Sequence, residues 1–291
     1  DNEKKNVSDL TVAFIRARNC DPLSSFGDFI ALSDEVDVDT AKLIKREASD
    51  GVIAPGYTES ALEILKSKKG GNYIILQAHE DYLNNKTHEF KEVDGCAVMQ
   101  TVNAAKINND YFENVPTKNK NVSKANRRDM MLANITLKYT PSNSVAAAID
   151  GQVIGVGAGQ QNRVDCVGIV KRKVNNWFFR QHPKVLHYLK SFKPTVRRQD
   201  RVNAIMTVIT KDCSQPKHSL DWFNFKEQLV SNYRYEPLTE DMKQSHGVNM
   251  RLKTDVILAS DAFFPFSDSI EVCNDMGVSH ILQPGGSIMD N

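Results

Sequence analysis

The sequence predicts an α/β protein made of two lobes, each a mixed sheet flanked by helices. Strand-like and helix-like segments alternate, which predicts strand–helix–strand units with partly parallel sheets. An internal repeat points the same way, because a Phe-rich loop, a helix, a short strand and a Pro-Gly pair occur in residues 26–58 and again in 263–287. A polar, asparagine-rich region over residues 79–126 is typical of a boundary between lobes. We therefore expect lobes over residues 1–120 and 121–291, the second with a helical insertion.

The first lobe shows a strand–helix–strand pattern with clear punctuation. Thr40 can cap a helix that Gly51 would stop, and residues 52–54 then form a short buried strand. Thr58 caps the next helix, and residues 73–76 return as a strand. The spacing predicts a βαβ unit, so we expect a sheet that is at least partly parallel and is covered by helices.

Candidate functional and structural signals are most concentrated in residues 137–165, LKYTPSNSVAAAIDGQVIGVGAGQQNRVD. β-Branched and aromatic residues favour a strand before Pro141, and an alanine run favours a helix after it. We expect, in order, a strand over 135–139, a helix capped by Ser142 or Asn143 and running through Ala148, a turn at Asp150-Gly151, and a strand over 152–156.

Three glycines follow, at Gly155, Gly157 and Gly159. Glycine lets backbone approach a ligand closely, and successive N–H groups in such a loop can form an anion-binding concavity. The run lacks the dinucleotide fingerprint and has no Gly-Lys-Ser/Thr, so nicotinamide cofactors and ATP are not supported. A plain hairpin turn is the alternative.

The rest of the second lobe shows further helix and strand patterns. Residues 177–179 are bulky and aromatic, and we expect them to pack in a core. We expect helices over 164–170, 200–207, 219–230 and from Asp268, as N-cap, to Met276 with a stop at Gly277, and strands over 256–259 and 280–282.

Composition excludes several functional classes. A net charge of +1 over 291 residues gives no general attraction to nucleic acid or membrane, and the basic runs 171–173 and 197–198 have no aromatic platform beside them. No apolar run is long enough to cross a bilayer, and the first residues do not form a signal peptide.

The five cysteines are odd in number and never in a C-x-x-C pair, so we expect free thiols and a cytoplasmic location. The seven histidines are scattered, with His182 and His187 off the spacing of a helical metal pair, so we expect no zinc site.

Several motifs, in order along almost the whole chain, resemble one family. They are SSFGDFIALS at 24–33, SDGVIAPGY at 49–57, KYTPSNSV at 138–145, GQVIGVGAGQQNRVDC at 151–166, SDAFFPFSDSI at 260–270 and QPGGS at 283–287. This set resembles the AICAR transformylase domain of the bifunctional purine-biosynthesis enzymes.

The resemblance implies cytidine-deaminase-like αβα lobes and a homodimer whose subunits share active sites. The implied reaction is formyl transfer from 10-formyltetrahydrofolate to the 5-amino group of AICAR, giving FAICAR and tetrahydrofolate on the route to IMP. It implies no required metal, and a monovalent cation such as potassium is compatible with it. The zinc deaminases of that fold use His-x-Glu and Pro-Cys-x-x-Cys, and neither motif occurs here.

Two catalytic candidates match the family motif. Asn143 corresponds to a catalytic asparagine whose amide can hydrogen-bond the reacting groups, and a helix cap is its alternative role. Lys138 can place a cation near the developing oxyanion, or it lies exposed at a strand end.

The remaining matches concern substrate binding. Arg163 suits a phosphate, with a surface arginine opening a helix as the alternative. The further nucleotide candidates are Gly27, Asp50, Phe266 and Asp268, and the folate candidates are Phe263, Pro265, Val164 and Ser287.

Part of the family pattern does not occur in this sequence. The Lys-His pair of a Phe-Lys-His-Val motif would precede Asp1, and we expect the family's terminal Arg-Xaa-Phe-Xaa-His tail to follow Asn291. Lys217-His218 lies in a variable stretch and does not match the motif. A non-catalytic nucleotide-binding and dimerisation fragment of the same enzyme is therefore the alternative function.

Overall fold

The computed structural model describes residues 7–79, 87–210, 237–251 and 255–288. Within these ranges the chain forms two compact units. One contains the residues up to Arg18 together with Ser24–Lys106, and the other contains Asn19–Leu23 together with the residues from Ile107 onward. None of the helices in the described ranges combines the length and apolar character that a bilayer span needs. The division into lobes over 1–120 and 121–291 stays a prediction.

The first unit is built on a parallel sheet. Its elements are α1 Asp9–Arg18, β1 Asp28–Ala31, α2 Val38–Arg46, β2 Ser49–Ala54, α3 Glu59–Lys66 and β3 Ile74–Gln77. The strands lie in the order β1, β2, β3 and all run parallel, with α2 and α3 as the connections. The predicted strand–helix–strand unit is confirmed. The expected mixed sheet is wrong for these three strands, which contain no antiparallel pair.

The residues that begin and end the helices of the first unit are partly as predicted. Thr58 caps α3 by accepting from the Ala61 N–H at 3.3 Å. Asp37, not Thr40, caps α2, because its carboxylate accepts from the Thr40 N–H at 2.7 Å. Gly51 does not stop that helix but lies inside β2, where an added Cβ would sit 2.2 Å from the ring of Phe29. That glycine is required by close packing rather than by a helix end.

The polar region after β3 contains a β-hairpin that the sequence analysis missed. Strand β4 spans His88–Val93 and pairs antiparallel with β5, Cys96–Thr101. Asp94 and Gly95 form the turn with φ of +51° and +80°. An Asp-Gly pair of this kind is the sequence signal of a two-residue hairpin, so the strands were predictable from it.

The second unit contains a mixed sheet with helices on both faces. Its elements are α4 Lys124–Lys138, β6 Val145–Ile149, β7 Gln152–Gly157, α5 Arg163–Phe179, α6 Pro183–Lys190, α7 Arg198–Thr210, α8 Glu240–Arg251, β8 Val256–Ser260, α9 Asp268–Asp275 and β9 Val278–Leu282. The strand order is β7-β6-β8-β9. β6 runs antiparallel to β7 and β8, whereas β8 and β9 are parallel.

The first half of the central stretch is the reverse of the prediction. Residues 135–138 are the end of helix α4 and not a strand, because Met130, Ala133 and Leu137 recur at helical spacing and bury one face. The alanine run is strand β6 and not a helix, because it pairs with β7 on one side and with β8 on the other, and all five of its residues are buried. α4 covers one face of β6 and α5 the other, and small alanine side chains let both helices pack closely. The predicted turn at Asp150-Gly151 and the strand after it are confirmed.

The C-terminal half follows the prediction in part, because helices α6 and α8 were not predicted. The helices predicted from residues 164 and 200 and the strands β8 and β9 are confirmed. Phe178 is 1% exposed and lies in the main core of this unit, as expected of the aromatic cluster. Ser267, not Asp268, is the N-cap of α9, and Gly277 follows the helix with φ of +73°. The predicted helix over 219–230 and the Lys217-His218 pair lie outside the described residues.

The two halves of the predicted repeat have related local topology. β1-α2-β2 and β8-α9-β9 are both strand–helix–strand units with parallel strands, and a Pro-Gly pair follows each. The Phe-rich segments are not equivalent, because residues 263–266 follow β8 whereas Phe26 precedes β1. A deaminase-like relation between two whole lobes stays a prediction.

Candidate active site

Polar side chains of the second unit converge on one edge of its sheet, where β6 begins and β7, β8 and β9 end. The strand directions cause this convergence, because β6 is antiparallel to β7 and β8, and β9 is parallel to β8. Asn143, Arg163 and Asp261 lie in the segments that enter or leave this edge. Residues far apart in sequence therefore meet in one cluster.

The guanidinium of Arg163, the first residue of α5, is the centre of this cluster. Only 8% of Arg163 is exposed, which is rare for an arginine unless it is paired. Nη2 donates to Asn143 Oδ1 at 3.0 Å, and Nη1 donates to the Ser144 carbonyl at 3.1 Å and to the Asp261 carboxylate. The alternative of a plain surface arginine is therefore wrong. Its role in nucleotide binding stays a prediction.

Asn143 is held at both ends of its side-chain amide. Its Oδ1 accepts from Arg163, and its Nδ2 donates to the Gln160 carbonyl at 2.9 Å. The backbones of Asn143 and Gln160 also pair, at 3.4 and 3.3 Å. No helix begins here, so the helix-cap alternative is wrong. The amide is fixed in one orientation by the loop that joins β7 to α5.

The carboxylate of Asp261 is ionised and anchored. Burial alone would raise the pKa of this carboxyl, but hydrogen bonds from Ser142, Arg163 and the Ser144 N–H hold the pKa below its ordinary value. The Asp261 N–H in turn donates to the Ser144 carbonyl at 3.2 Å. The Ser144 hydroxyl is fully buried and has no hydrogen-bond partner among the described residues. Asp261 thus compensates the buried charge of Arg163.

The glycine run serves the packing of α5 more than the approach of a ligand. A Cβ at Gly157 would lie 2.6 Å from the Cys166 carbonyl oxygen, and one at Gly155 would lie 3.2 Å from Val174. The interpretation of these two glycines as ligand contacts is therefore replaced by close strand–helix contact. Gly159 differs, because its φ is +62° and no atom lies within 4 Å of an added Cβ. Of the three, only Gly159 keeps open space on its side-chain side.

The loop between β8 and α9 presents two aromatic rings to solvent. Phe263 is 39% exposed and Phe266 is 65% exposed. Phe264 between them is buried, and its N–H donates to Gln283 Oε1 at 2.7 Å, which ties the loop to the end of β9. Pro265 is half-buried next to them. An anchored loop with exposed rings can offer flat apolar faces to a ligand.

The other predicted residues of this unit lie in or next to the helices and strands that meet at this sheet edge. Val164 is exposed on the first turn of α5, Asp268 is the exposed first residue of α9, and Ser287 lies beyond β9. Lys138 is the last residue of α4 and not a strand end, and its ammonium lies 5.6 Å from the centre of the Tyr139 ring. Its proximity to a reacting oxyanion stays a prediction.

The first unit brings its two predicted residues together. Gly27 has φ of +73°, a conformation that favours glycine, and an added Cβ would lie 3.9 Å from Asp50 Oδ2. The Gly27 N–H donates to the Ala48 carbonyl at 2.7 Å. Asp50 is exposed and pairs with Lys69 at 2.7 Å. Gly27 and Asp50 therefore form one small surface, to which Asp50 contributes a negative charge and Lys69 a positive charge.

The described histidines and cysteines form no metal centre. Among the described residues, no group of three or more His, Cys, Asp or Glu is placed to hold a metal ion. His182 and His246 are in edge contact with ring centres 5.0 Å apart. Burial raises the pKa of the Cys273 thiol to about 12 and that of Cys20 to about 11, so neither is a reactive thiolate near neutral pH.

Sequence reasoning missed the residues that support the candidates. Asp261 compensates Arg163, Gln160 orients Asn143, and Phe264 anchors the aromatic loop. Asp261 had one readable signal, because it directly follows a buried strand whose end meets the same edge as Asn143. Gln160 acts through its backbone carbonyl, so its side chain carried no signal.

Comparison with known proteins adds an independent finding. A family model described as the AICARFT/IMPCHase bienzyme matches residues 6–173. The chain is 28% identical over 279 residues to the bifunctional purine biosynthesis protein PurH of Prochlorococcus marinus strain AS9601, covering 96% of this chain and 39% of that protein. The PurH protein of Acetivibrio thermocellus is 28% identical over 285 residues, covering 98% and 40%. The chain thus spans about two fifths of the length of these relatives.

Proposed function

Because the chain belongs to the AICARFT/IMPCHase bienzyme family, we propose that it carries substrate and catalytic residues of an AICAR formyltransferase in purine biosynthesis. The observation that carries this proposal is the position of the family match. Residues 6–173 contain both local clusters described above, Gly27 with Asp50 and Asn143 with Arg163.

The proposed reaction moves a formyl group between two nitrogens. The 5-amino group of AICAR attacks the formyl carbon of 10-formyltetrahydrofolate, a C–N bond forms, and the carbonyl oxygen becomes an oxyanion. The amine loses a proton, the bond between the formyl carbon and N10 breaks, and N10 takes up a proton. AICAR becomes FAICAR and the folate becomes tetrahydrofolate. The resemblance assigns the main proton transfer to a Lys-His pair in a motif that this sequence does not contain.

Asn143 would orient the reacting groups. Arg163 occupies its amide oxygen and the Gln160 carbonyl takes one of its two N–H hydrogens. We assign the second N–H to the formyl oxygen, where a fixed donor stabilises the negative charge that develops as the amine attacks. Because Asp261 is ionised and paired, it would hold Arg163 in place and not transfer protons.

The exposed surfaces around these clusters match the two substrates. The rings of Phe263 and Phe266 suit the flat pterin and the imidazole carboxamide. Asp50 can accept hydrogen bonds from nucleotide hydroxyls, and Gly27 allows close approach of the backbone. The Ser144 hydroxyl and the Asp261 carboxylate supply oxygens of the type that a monovalent cation prefers, although no step depends on such an ion.

We further propose a cytoplasmic homodimer with active sites shared between subunits. The support is the family resemblance together with the exposed hairpin β4–β5. Phe90 and Met99 face each other across that hairpin and are 68% and 59% exposed, and a lone two-stranded hairpin is marginal in water. Sedimentation of the complete natural polypeptide tests this proposal, and a monomer at micromolar concentration would contradict it.

The test of the activity uses the complete natural polypeptide that contains this sequence. Incubation with AICAR and 10-formyltetrahydrofolate is expected to give tetrahydrofolate in an amount equal to the sum of FAICAR and IMP. Chromatography and mass spectrometry measure these products. Asn143→Ala should reduce the rate, whereas Asn103→Ala, in the loop after β5, should not. Failure of the wild-type protein to form either FAICAR or IMP from these substrates would refute the proposed function.

A further inference from the structure

Arg18 is a buried cation whose contacts the proposed reaction does not explain. It is the last residue of α1, and its side chain is only 9% exposed. All three guanidinium nitrogens are used. Nε pairs with Glu47 Oε2 at 3.1 Å, Nη1 donates to Asp28, and Nη2 donates to the Ser25 carbonyl and, at 3.4 Å, to the Ala48 carbonyl.

These four partners flank the two predicted nucleotide residues of the first unit. Ser25 and Asp28 lie on either side of Gly27, and Glu47 and Ala48 precede Asp50 by two or three residues. The Ala48 carbonyl accepts from both Arg18 and the Gly27 N–H, the latter at 2.7 Å. One side chain therefore holds two loops at a fixed separation.

The local charge pattern requires a planar, multidentate cation at this position. The carboxylates of Asp28 and Glu47 both face Arg18, so removal of the guanidinium would leave two anions close together. Lys68 does not replace it, because its ammonium caps the end of α2 by donating to the Ile44 and Glu47 carbonyls. A lysine at position 18 could keep the charge but not four contacts in different directions.

We propose that Arg18 is a positioning residue that sets the spacing between Gly27 and Asp50 and thereby the affinity for the nucleotide substrate. This inference rests on the proposed function. A purely structural role would make Arg18 an ion pair that stabilises α1, with no selective effect on the nucleotide. Buried ion pairs are weak evidence for stability, because desolvation offsets much of the attraction.

The test compares Arg18→Lys with Arg201→Lys in the complete natural polypeptide. Arg201 is a matched control, because it also pins a loop by donating to backbone carbonyls, those of Lys193, Pro194 and Val196, but it lies in the helical part of the second unit. We expect Arg18→Lys to raise the Kd for AICAR roughly tenfold to hundredfold, since small misplacements of binding groups have effects of that order. The Kd for 10-formyltetrahydrofolate should stay within about twofold of wild type. Arg201→Lys should leave both constants unchanged.

A double-variant cycle examines whether Arg18 acts through Asp50. In the Asp50→Asn background, Arg18→Lys should raise the Kd for AICAR by a further factor of less than about two. Both changes disturb the same contact, the one between Asp50 and the nucleotide. Fully additive effects, or an Arg18→Lys protein that binds AICAR like wild type, would overturn the proposal. Equal weakening of nucleotide and folate binding would indicate a general structural role and would also overturn it.

Hydrogen exchange separates this inference from the proposed function. Without any ligand, the Gly27 amide should exchange faster in Arg18→Lys than in wild type or Arg201→Lys, because its acceptor is the carbonyl that Arg18 also holds. If the wild-type protein does not bind AICAR, the proposed function fails, while faster exchange at Gly27 still supports the positioning role. Unchanged exchange overturns that role whatever the protein binds.

Discussion

Replacing Asn143 by aspartate separates a catalytic role from a purely structural one. The aspartate would keep an oxygen acceptor for Arg163 Nη2, now 3.0 Å away, and would strengthen that contact with a negative charge. It would remove the amide N–H that donates to the Gln160 carbonyl at 2.9 Å and place two oxygen acceptors face to face. The backbone pairing of Asn143 with Gln160 is unaffected by the side chain.

The expected change in stability is small because gains and losses nearly cancel. A neutral hydrogen bond contributes about 0.5–1.5 kcal/mol and an unsatisfied buried acceptor costs about 1–3 kcal/mol, whereas a charged hydrogen bond contributes about 1.5–3 kcal/mol. Arg163 is already paired with Asp261, so two carboxylates would share one guanidinium. We expect the free energy of unfolding to fall by about 1 kcal/mol, or a lowering of Tm by roughly 2–4 °C.

The expected change in activity is much larger. If the second N–H of Asn143 meets the reacting groups, aspartate removes that donor and adds an anion beside a developing oxyanion. Loss of one such donor commonly costs about 2.7–4 kcal/mol of barrier, so kcat should fall by roughly a hundredfold or more. Steady-state formyl transfer and thermal unfolding of the complete natural polypeptide measure the two effects.

The matched control is Asn162→Asp in the neighbouring loop between β7 and α5, which also carries Gln160. Asn162 caps α5 by accepting from the Asp165 N–H at 2.8 Å, and it also donates from its amide to the Asp165 carboxylate at 2.6 Å. Aspartate keeps the cap but loses this donor, so stability should fall while kcat is retained. Full kcat in Asn143→Asp together with a lowered Tm would refute the catalytic assignment and leave Asn143 as a brace for Arg163.

Two further predictions concern the frame of the second unit. Burial, His246 and Lys184 lower the pKa of His182 below its ordinary 6.5, so the unfolded chain takes up this proton first and stability should fall as pH drops below about 6.5. His182→Asn keeps an N-cap acceptor and should flatten that part of the Tm profile, and an unchanged profile would contradict the assignment. Gly157→Ala would place a Cβ 2.6 Å from the Cys166 carbonyl and should lower the free energy of unfolding by about 1–3 kcal/mol in urea titrations; a variant as stable as wild type would show that β7 and α5 can separate without cost.

The two wrong predictions in residues 135–148, a strand and then a helix, arose because the propensities of single residues were given more weight than the spacing of the apolar residues. Ile135, Thr136 and Tyr139 favour a strand individually, yet Met130, Ala133 and Leu137 repeat at the spacing of one helical face. The alanines of β6 favour a helix individually, but they lie in a strand covered on both faces, where no alternation reveals the strand. Helix propensity is a weak prior that tertiary packing overrides.

The candidate site was predictable only where residue type alone limits the role. A glycine at Gly27 and an exposed acid at Asp50 matched the family motif, and the structure brings them together. The partners of Arg163 were not predictable, because whether an arginine at the start of a helix faces solvent or the sheet depends on strand directions. The same holds for Gly157, whose close neighbour is a helix and not a ligand.

Both units place a buried arginine next to a predicted substrate residue. Arg18 holds Asp28 and the carbonyls around Gly27, and Arg163 holds Asp261 and a carbonyl next to Asn143. Desolvation makes such pairs poor sources of stability, whereas removing one partner leaves an uncompensated charge that forces the loops to move. When one arginine donates several hydrogen bonds at once, even a small displacement of the loop breaks some of them and costs free energy. A binding group carried by that loop is therefore held close to its position relative to the ligand. Burying each guanidinium adds little to the stability of the fold, but it fixes the position of the neighbouring loop. Conservative Arg→Lys changes should therefore reduce affinity or rate more than they reduce Tm.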